Sequence, residues 1–235
     1  MENFVVSARK YRPQEFDTVV GQAHITDTLE HAIDENQLAQ ALLFCGPRGV
    51  GKTTCARILA RKINERDGST SDDGFSYNIF ELDAASNNSV EDIRELTDQV
   101  RFAPQVGKYK IYIIDEVHML SSAAFNAFLK TLEEPPAHAI FILATTEKHK
   151  IIPTILSRCQ IYDFKRIVIE DIQNHLKGIA EKEGIQYEDD ALYLVAQKAD
   201  GALRDALSIF DRLSTFTQKN ITLAKAAEVL NILDY

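Results

Sequence analysis

Cysteine is scarce in this sequence, and the few that are present exclude two kinds of site. The 235 residues contain three cysteines, Cys45, Cys55 and Cys159. Three thiols cannot all pair within one chain, and their spacing fits neither a zinc site nor a CxxC redox pair. We therefore expect a reduced, intracellular protein of the cytoplasm.

Long apolar runs and an excess of positive charge are also lacking. No run approaches the roughly 20 apolar residues that a membrane-spanning helix needs. The N-terminal stretch MENFVVSARKYRP has no apolar core of a signal peptide. Lys and Arg number 26 against 35 Asp and Glu, so the net charge is −9. We expect no membrane partner and no broadly basic surface for nucleic acid, although a local basic face remains open.

Short apolar runs alternate with helical patterns over the first two-thirds of the chain. The runs are short and mainly apolar, and several are rich in β-branched residues; we interpret each as a parallel strand buried on both faces. The runs lie at 41–45, 77–82, 110–114, 139–145 and 160–164. Helices are predicted at 52–64, 90–103, 123–134 and 153–156. This alternation predicts a doubly wound α/β domain, which we place at residues 1–165.

The strand patterns stop near residue 167, and the rest of the chain is predicted to be helical. Helices at 169–183, 189–198 and 203–216 precede one that Thr222 caps and that runs to about residue 233. They predict a small all-α domain at 166–235. The polar, aperiodic stretch at 64–76 is predicted to be an exposed loop.

Residues 46–53, GPRGVGKT, match the phosphate-loop pattern GxxxxGK[ST] between a predicted strand and a predicted helix. The glycines let backbone N–H groups face phosphate oxygens, and the helix N-terminus adds positive potential. The lysine is expected to reach the β- and γ-phosphates of ATP, and the Thr53 hydroxyl to bind Mg²⁺. The predicted nucleotide-binding residues of this segment are Gly46, Gly49, Val50, Gly51, Lys52, Thr53 and Thr54.

Two predicted strands end in polar residues at the sheet edge where the phosphate loop lies. The strand IYII is followed by Asp115 and Glu116. We interpret Asp115 as the acidic partner of Mg²⁺ and Glu116 as the base that activates water. The strand FILATT ends in Thr145 and Thr146, where a hydroxyl could sense the γ-phosphate or hold the water.

Two arginines and six histidines indicate function less specifically than these motifs do. Arg158 follows a short helix and Arg204 begins a lid helix, so either could neutralise phosphate charge or be a plain surface residue. The histidines, including His118, show no ligand spacing and are interpreted as structural or solvated. A P-loop kinase is a further alternative, which Glu116 and the lid arginine disfavour.

Taken together, these segments resemble the gamma/tau family of bacterial DNA polymerase III subunits, the ATPase motors of sliding-clamp loaders within the AAA+ superfamily. The matching stretches include ARKYRPQEFDTVVGQ, GPRGVGKTT, YKIYIIDEVHMLS, TLEEPP, FILATTEKHKIIPTILSRC and GALRDALS, and they span residues 8–208. GVGKTT alone marks only a P-loop ATPase, whereas DEVHMLS with TLEEPP and SRC is much more specific. The resemblance implies an ATP-hydrolysing motor of the polymerase holoenzyme that opens the clamp and loads it on primer–template DNA.

The resemblance also implies roles for matching residues. Thr146 is similar to sensor 1, Arg158 to the SRC arginine finger that acts on a neighbouring subunit's ATP, and Arg204 to sensor 2 on its own ATP. Mg-ATP is expected at the junction of core and lid. The segment that packs on adenine is implied to include Tyr11, Arg12, Val20 and Gly21.

Partners follow from the same resemblance. They are the delta and delta prime subunits, the sliding clamp, and DNA held through its backbone. Backbone amides at a helix N-terminus and one arginine could follow phosphates without reading sequence; an ordinary capped helix is the alternative. The implied DNA residues are Asn87, Asn88, Ser89 and Arg94.

The chain departs from the family pattern in two places. The family's four-cysteine zinc module is replaced by NERDGSTSDDGFS at 64–76, so we predict no structural zinc. The chain stops at Tyr235, before the family's helical collar, so we expect a monomeric fragment with weak ATPase activity. A nucleotide-binding scaffold without turnover, or another AAA+ DNA-processing motor, remains an alternative function.

Overall fold

The computed structural model describes residues 5–66 and 76–230, which fall into two compact units. The helical unit comprises the described parts of Met1–Ala23, Pro47–Gly51 and Lys165–Tyr235, and the sheet unit those of His24–Gly46 and Lys52–Phe164. Most of the loop predicted at 64–76, and with it the predicted lack of zinc, lies outside the described residues. The domain boundary between residues 165 and 166 stays a prediction.

A five-stranded parallel sheet forms the centre of the sheet unit. The strands are β1 (Ala41–Cys45), β2 (Ile79–Asp83), β3 (Lys110–Asp115), β4 (Ala139–Thr145) and β5 (Gln160–Asp163). They lie in the order β2-β3-β4-β1-β5, and every neighbouring pair is parallel. The segments that follow β1, β3 and β4 therefore leave the sheet at one edge, where ligands of open α/β sheets bind. The α/β class predicted from the sequence is confirmed.

The prediction that all five strands are buried on both faces is wrong for two of them. β1 and β4 are buried along their whole length, and β3 is buried except at its ends. In β2 and β5 no more than one residue is fully buried, because each lies at an edge of the sheet. Stacked aromatic rings still join the edge to the centre, with Phe80 5.0 Å from Tyr112 and Tyr112 5.5 Å from Phe141 between ring centroids.

The helices around the sheet begin and end close to the predicted positions. They are α2 (Ala23–Asp34), α3 (Lys52–Arg66), α4 (Val90–Val100), α5 (Ser122–Glu133) and α6 (Pro153–Leu156). Helix α4 stops three residues earlier than predicted, and α2 lies in a stretch where no helix was predicted. Ser89 and Ser121 cap α4 and α5 by accepting hydrogen bonds from backbone N–H groups.

The helical unit has the four helices predicted after residue 166, together with a short helix and a short pair of strands that were not predicted. It contains α1 (Ser7–Lys10), α7 (Ile169–Glu183), α8 (Asp189–Lys198), α9 (Leu203–Phe216) and α10 (Leu223–Val229). The helical character predicted for this part of the chain is confirmed, and the unit also contains a parallel pair of two-residue strands, β6 (Gln186–Tyr187) and β7 (Asn220–Ile221). Two-residue strands are too short to show a period in the sequence. Among the described residues, no helix is long and apolar enough to cross a membrane.

Candidate active site

The phosphate loop connects β1 to α3, as the motif requires. Gly51, directly before the helix, has φ of +107°, and a Cβ added there would meet no atom within 4 Å. This backbone conformation is strained for any residue with a side chain. Glycine avoids this strain, and the absence of a side chain is what the motif needs for phosphate oxygens to approach the backbone.

Lys52 is a buried lysine whose ammonium group is held by the loop itself. The residue is 6% exposed, and its Nζ donates to the Gly46 carbonyl oxygen at 2.7 Å. Burial lowers the pKa of Lys52, while the nearby carboxylates of Glu116 and Asp115 oppose that shift. The buried cation attracts an anionic ligand, which would offset its loss of hydration, whereas the two carboxylates oppose one.

Thr53 and Asp115 form the contact that the sequence predicts for a magnesium site. The Thr53 hydroxyl donates to Asp115 Oδ2 at 2.6 Å. A hydroxyl and a carboxylate oxygen are the hard donors that Mg²⁺ takes together with phosphate oxygens and water. These two residues fit a magnesium ion, since the Thr53 and Asp115 oxygens lie next to each other. No cluster of three or more His, Cys, Asp or Glu residues suited to a metal occurs among the described residues.

Glu116 has the backbone conformation of a constrained residue. Its φ and ψ are 48° and 44°, in the left-handed region, which costs about 1 kcal/mol for a residue with a side chain. Its Oε2 accepts hydrogen bonds from the Thr146 hydroxyl at 3.0 Å and the Thr146 amide at 3.4 Å. The structure thus brings together the predicted base and the predicted sensor, which are 30 residues apart in sequence.

His118 lies in the same cluster, where its buried side chain is compatible with the predicted structural role. Its side chain is 6% exposed, with Nδ1 3.3 Å from Glu116 Oε2 and 3.0 Å from Thr145 Oγ1. Its Nε2 lies 3.6 Å from a carboxylate oxygen of Glu147. The imidazole therefore sits between two carboxylates. Its position two residues after Glu116 was the signal available in the sequence.

Arg158 is held by its own chain. It follows α6, and its guanidinium donates to Glu133 Oε1 and to the Thr154 carbonyl oxygen, both at 2.5 Å. Its side chain is 30% exposed. Glu133 belongs to the TLEEPP stretch, and no role was predicted for it from the sequence.

Within the helical unit, the phosphate loop contacts the lid helix α9. The Arg204 amide donates to the Gly49 carbonyl oxygen at 3.3 Å. A Cβ on Gly49 would lie 3.2 Å from Cβ of Arg204, so this glycine allows the close approach. The Arg204 side chain is exposed, and within the described part of the chain its guanidinium has no hydrogen-bonding partner.

The residues implied for adenine lie in the helical unit as well. Tyr11 and Val20 pack against its apolar core, and Gly21 lies against Ile167. The Tyr11 hydroxyl donates to the carboxylate of Glu183, a partner that the sequence analysis missed. Arg12 is half-buried in the same segment.

The residues implied for DNA form an ordinary capped helix terminus. Ser89 and Asp92 make a reciprocal capping box at the start of α4, and the Asn88 carbonyl oxygen accepts from the Ser121 amide at 3.3 Å. The Asn87 side chain donates to the Asp83 carbonyl oxygen. Arg94 has a 69% exposed side chain, 3.9 Å from Glu91. The DNA contact stays a prediction.

This fold and site define a class. A parallel sheet with a glycine-rich phosphate loop after β1, and an Asp-Glu pair after β3, is the core of a P-loop nucleotide-binding protein. The RuvB Holliday junction branch migration motor of Thermotoga maritima has the same fold, with a TM-score of 0.73, 21% identity, and coverage of 95% of this chain and 74% of that one. The chain belongs to the DNA polymerase III gamma/tau family of clamp-loader subunits, since two family profiles and relatives 41–49% identical to it match most of its length.

Two family profiles and several relatives support this family membership. Residues 21–168 match the profile "DNA polymerase III, delta subunit", and 171–218 match "DNA polymerase III clamp loader subunit, ATPase lid domain". The chain is 49% identical to subunit tau of Bacillus subtilis over 89% of its own length and 39% of the relative's. It is 43% identical to subunit tau of Escherichia coli (99% and 38%) and 41% identical to subunit gamma of Buchnera aphidicola (98% and 67%). The chain thus spans about two-fifths of the tau subunits.

Proposed function

We propose that this chain binds Mg-ATP and hydrolyses it to ADP and phosphate, as the motor module of a bacterial clamp loader. The observation that carries the proposal is the arrangement at the sheet edge. Thr53 contacts Asp115 there, and Glu116 contacts Thr146. One pair suits a metal-bound phosphate and the other suits an attacking water, and a scaffold that only binds nucleotide would not need the second pair.

Each residue then has a chemical task. Lys52 exchanges its bond to the Gly46 carbonyl oxygen for phosphate oxygens, since both are acceptors for the same ammonium group. Thr53 and Asp115 would hold Mg²⁺, which would neutralise charge on the phosphates. Glu116 accepts a proton from water, and Thr146 fixes the orientation of that carboxylate.

The two arginines are proposed to act in different directions. Arg204 is proposed to serve this chain's own nucleotide, and the contact of its backbone amide with Gly49 of the phosphate loop supports this role. Arg158 is proposed to serve the ATP of a neighbouring subunit. Both would stabilise negative charge that develops on the transferred phosphoryl group.

The test of the nucleotide site is Lys52→Ala, with Lys62→Ala as its matched control. Lys62 lies on the same helix and pairs with Glu30, outside the loop. Loss of one charge-assisted contact to phosphate is expected to weaken ADP and ATP binding by about 10- to 100-fold. Calorimetry should show this loss for Lys52→Ala alone. Unchanged affinity would remove the site assignment.

We further propose that the delta and delta prime subunits, the sliding clamp and primer–template DNA are the partners. The family supports the first three. For DNA, the support is Arg94, which is exposed one turn into α4, whereas the acidic first turn, with Glu91 and Asp92, opposes a phosphate. Arg94→Ala should weaken DNA binding by the assembled loader to the same extent for every DNA sequence. Unchanged binding would mean that α4 has only a structural role.

A further inference from the structure

Gln22 is a fully buried polar residue that nucleotide chemistry does not explain. Its side chain is 0% exposed, just before α2 begins at Ala23. A buried primary amide is costly unless its donors and acceptor are all paired. The hydrogen-bond partners of Gln22 therefore indicate its role.

The Gln22 amide pairs with the backbone at two places in the helical unit. Its Nε2 donates to the Lys165 carbonyl oxygen at 2.7 Å and, more weakly, to the Val50 carbonyl oxygen at 3.4 Å. Its Oε1 accepts from the Lys165 amide at 3.3 Å. Both donors and the acceptor are thus used, and the two facing carbonyls fix which end of the amide is nitrogen.

The two partners belong to functionally distinct segments. Val50 lies in the phosphate loop, directly between Gly49 and Gly51. Lys165 begins the peptide that leads to α7, and this peptide is fixed again two residues later, where the Ile167 amide donates to the Gly201 carbonyl oxygen at 3.0 Å. One side chain therefore joins the loop that would hold phosphate to the start of the lid segment.

We propose that Gln22 is a positioning residue that links the phosphate loop to the peptide at Lys165, so that nucleotide bound in the loop also orders that peptide. The inference rests on the proposed nucleotide binding, and it adds the route by which occupancy reaches the lid segment. Gln22 is not one of the residues proposed to hold the nucleotide. It acts by fixing the Val50 carbonyl and both backbone groups of Lys165.

The test uses Gln22→Met, which keeps the length of the side chain and removes its hydrogen bonds. Gln40→Met is the matched control, because the Gln40 amide also donates to backbone carbonyls, those of Pro136 and Ala139, but in the sheet unit. Backbone amide exchange is measured by mass spectrometry on the 235-residue chain, with and without MgADP at saturation. ADP affinity is measured in parallel by calorimetry.

In the wild-type chain, MgADP should slow exchange both in the phosphate loop and at Lys165. Gln22→Met should keep the protection of the loop, lose that at Lys165, and bind ADP about tenfold more weakly, the factor expected for one lost buried hydrogen bond. Gln40→Met should behave as wild type in both. If Gln22 had a merely structural role, both variants would be less stable to heat, and the protection of the loop and of Lys165 by MgADP would change together.

Several outcomes would overturn the inference. The first is that MgADP protects Lys165 in Gln22→Met as well as it does in the wild-type chain. The second is that Gln40→Met loses this protection. The third is that MgADP does not protect Lys165 even in the wild-type chain. If Gln22→Met does not fold, Gln22→Asn keeps the amide but is one methylene too short to reach both partners, and it should also lose the protection. A wild-type chain that binds no ADP would overturn the proposed function itself, which distinguishes the two failures.

Discussion

At the scale of single residues, Glu116 is the position expected to separate binding from turnover. Its carboxylate is aimed by Thr146 and approached by His118, and none of these groups is a phosphate ligand in the proposal. Glu116→Gln should therefore keep ATP affinity and slow hydrolysis by at least about 100-fold, the usual contribution of a positioned base.

Single-turnover phosphate release, with nucleotide affinity measured alongside, checks this expectation. Glu134→Gln is a suitable control, because this exposed carboxylate at the end of α5 has no proposed role. Hydrolysis by Glu116→Gln at the wild-type rate would assign the base elsewhere and leave the scaffold function as the better account of the site.

The cysteines give a second expectation at this scale, because their burial controls their chemistry. Burial raises the pKa of Cys45 to about 11 and that of Cys55 to about 12. At pH 8 the thiolate fraction of each should be lower by about 100-fold or more than for a free thiol near 8.5. Titration with Ellman's reagent should therefore find slow native reaction and three fast thiols after unfolding.

The same shifts predict how stability depends on pH. A thiol whose pKa is raised by folding is favoured in its neutral form, so its stabilising effect is complete below about pH 8.5, the pKa of the unfolded thiol, and is lost as the pH rises toward 11. Denaturant unfolding should show a falling midpoint between pH 8.5 and 10.5. Cys45→Ala should reduce the slope, and a flat profile would contradict the assigned burial.

At the scale of elements, the capping box of α4 is the clearest test of local stability. The Ser89 hydroxyl accepts from the Asp92 amide, and the Asp92 carboxylate accepts from the Ser89 amide. Ser89→Ala should lower the free energy of unfolding by about 1 kcal/mol, whereas Ser89→Gly should cost only a few tenths. Equal losses in urea unfolding for the two variants would show that the cap is not the cause.

Elements were predictable from sequence where their pattern is strong and their ends carry a signal. β1, β4, α7, α8 and α9 begin and end as expected, because apolar runs, helical period and a glycine such as Gly184 mark them. Helix α2 was not predicted. The exposure of β2 and β5 was also missed, since the order of strands in a sheet is a tertiary property that no local pattern records.

Within the site, the residues that a motif names were predictable, and those that only the fold brings near were not. Lys52, Thr53, Asp115 and Glu116 followed from spacing, while Thr146, Arg158 and Arg204 needed the family resemblance. The contacts of His118, Glu133 and Gln22 join segments far apart in sequence. Their partners depend on which strands are neighbours and on how loops pack, so a single sequence could not supply them.

At the scale of the whole molecule, the acidic net charge of −9 and the proposed contact with DNA are compatible only if that contact is local. A broad acidic surface repels a duplex, and a few amides and one arginine contribute little in isolation. DNA affinity of the 235-residue chain alone should therefore be weak. It should become measurable when several such faces are combined in an assembled loader, because linked sites reinforce one another.

Assembly should also govern turnover, since the proposed arginine finger acts on a neighbour. Arg158 is paired with Glu133 of its own chain, so a single chain is expected to hydrolyse ATP slowly, lacking a finger worth about 10³-fold or more in rate. Phosphate release per chain is measured over a series of concentrations, with light scattering recording association at each. Turnover should rise only where chains associate, and Arg158→Ala should abolish the rise, whereas Arg101→Ala, at an exposed arginine beside Asp98, should retain it. Brisk turnover by the monomer at low concentration would instead mean that this chain's own residues complete the site.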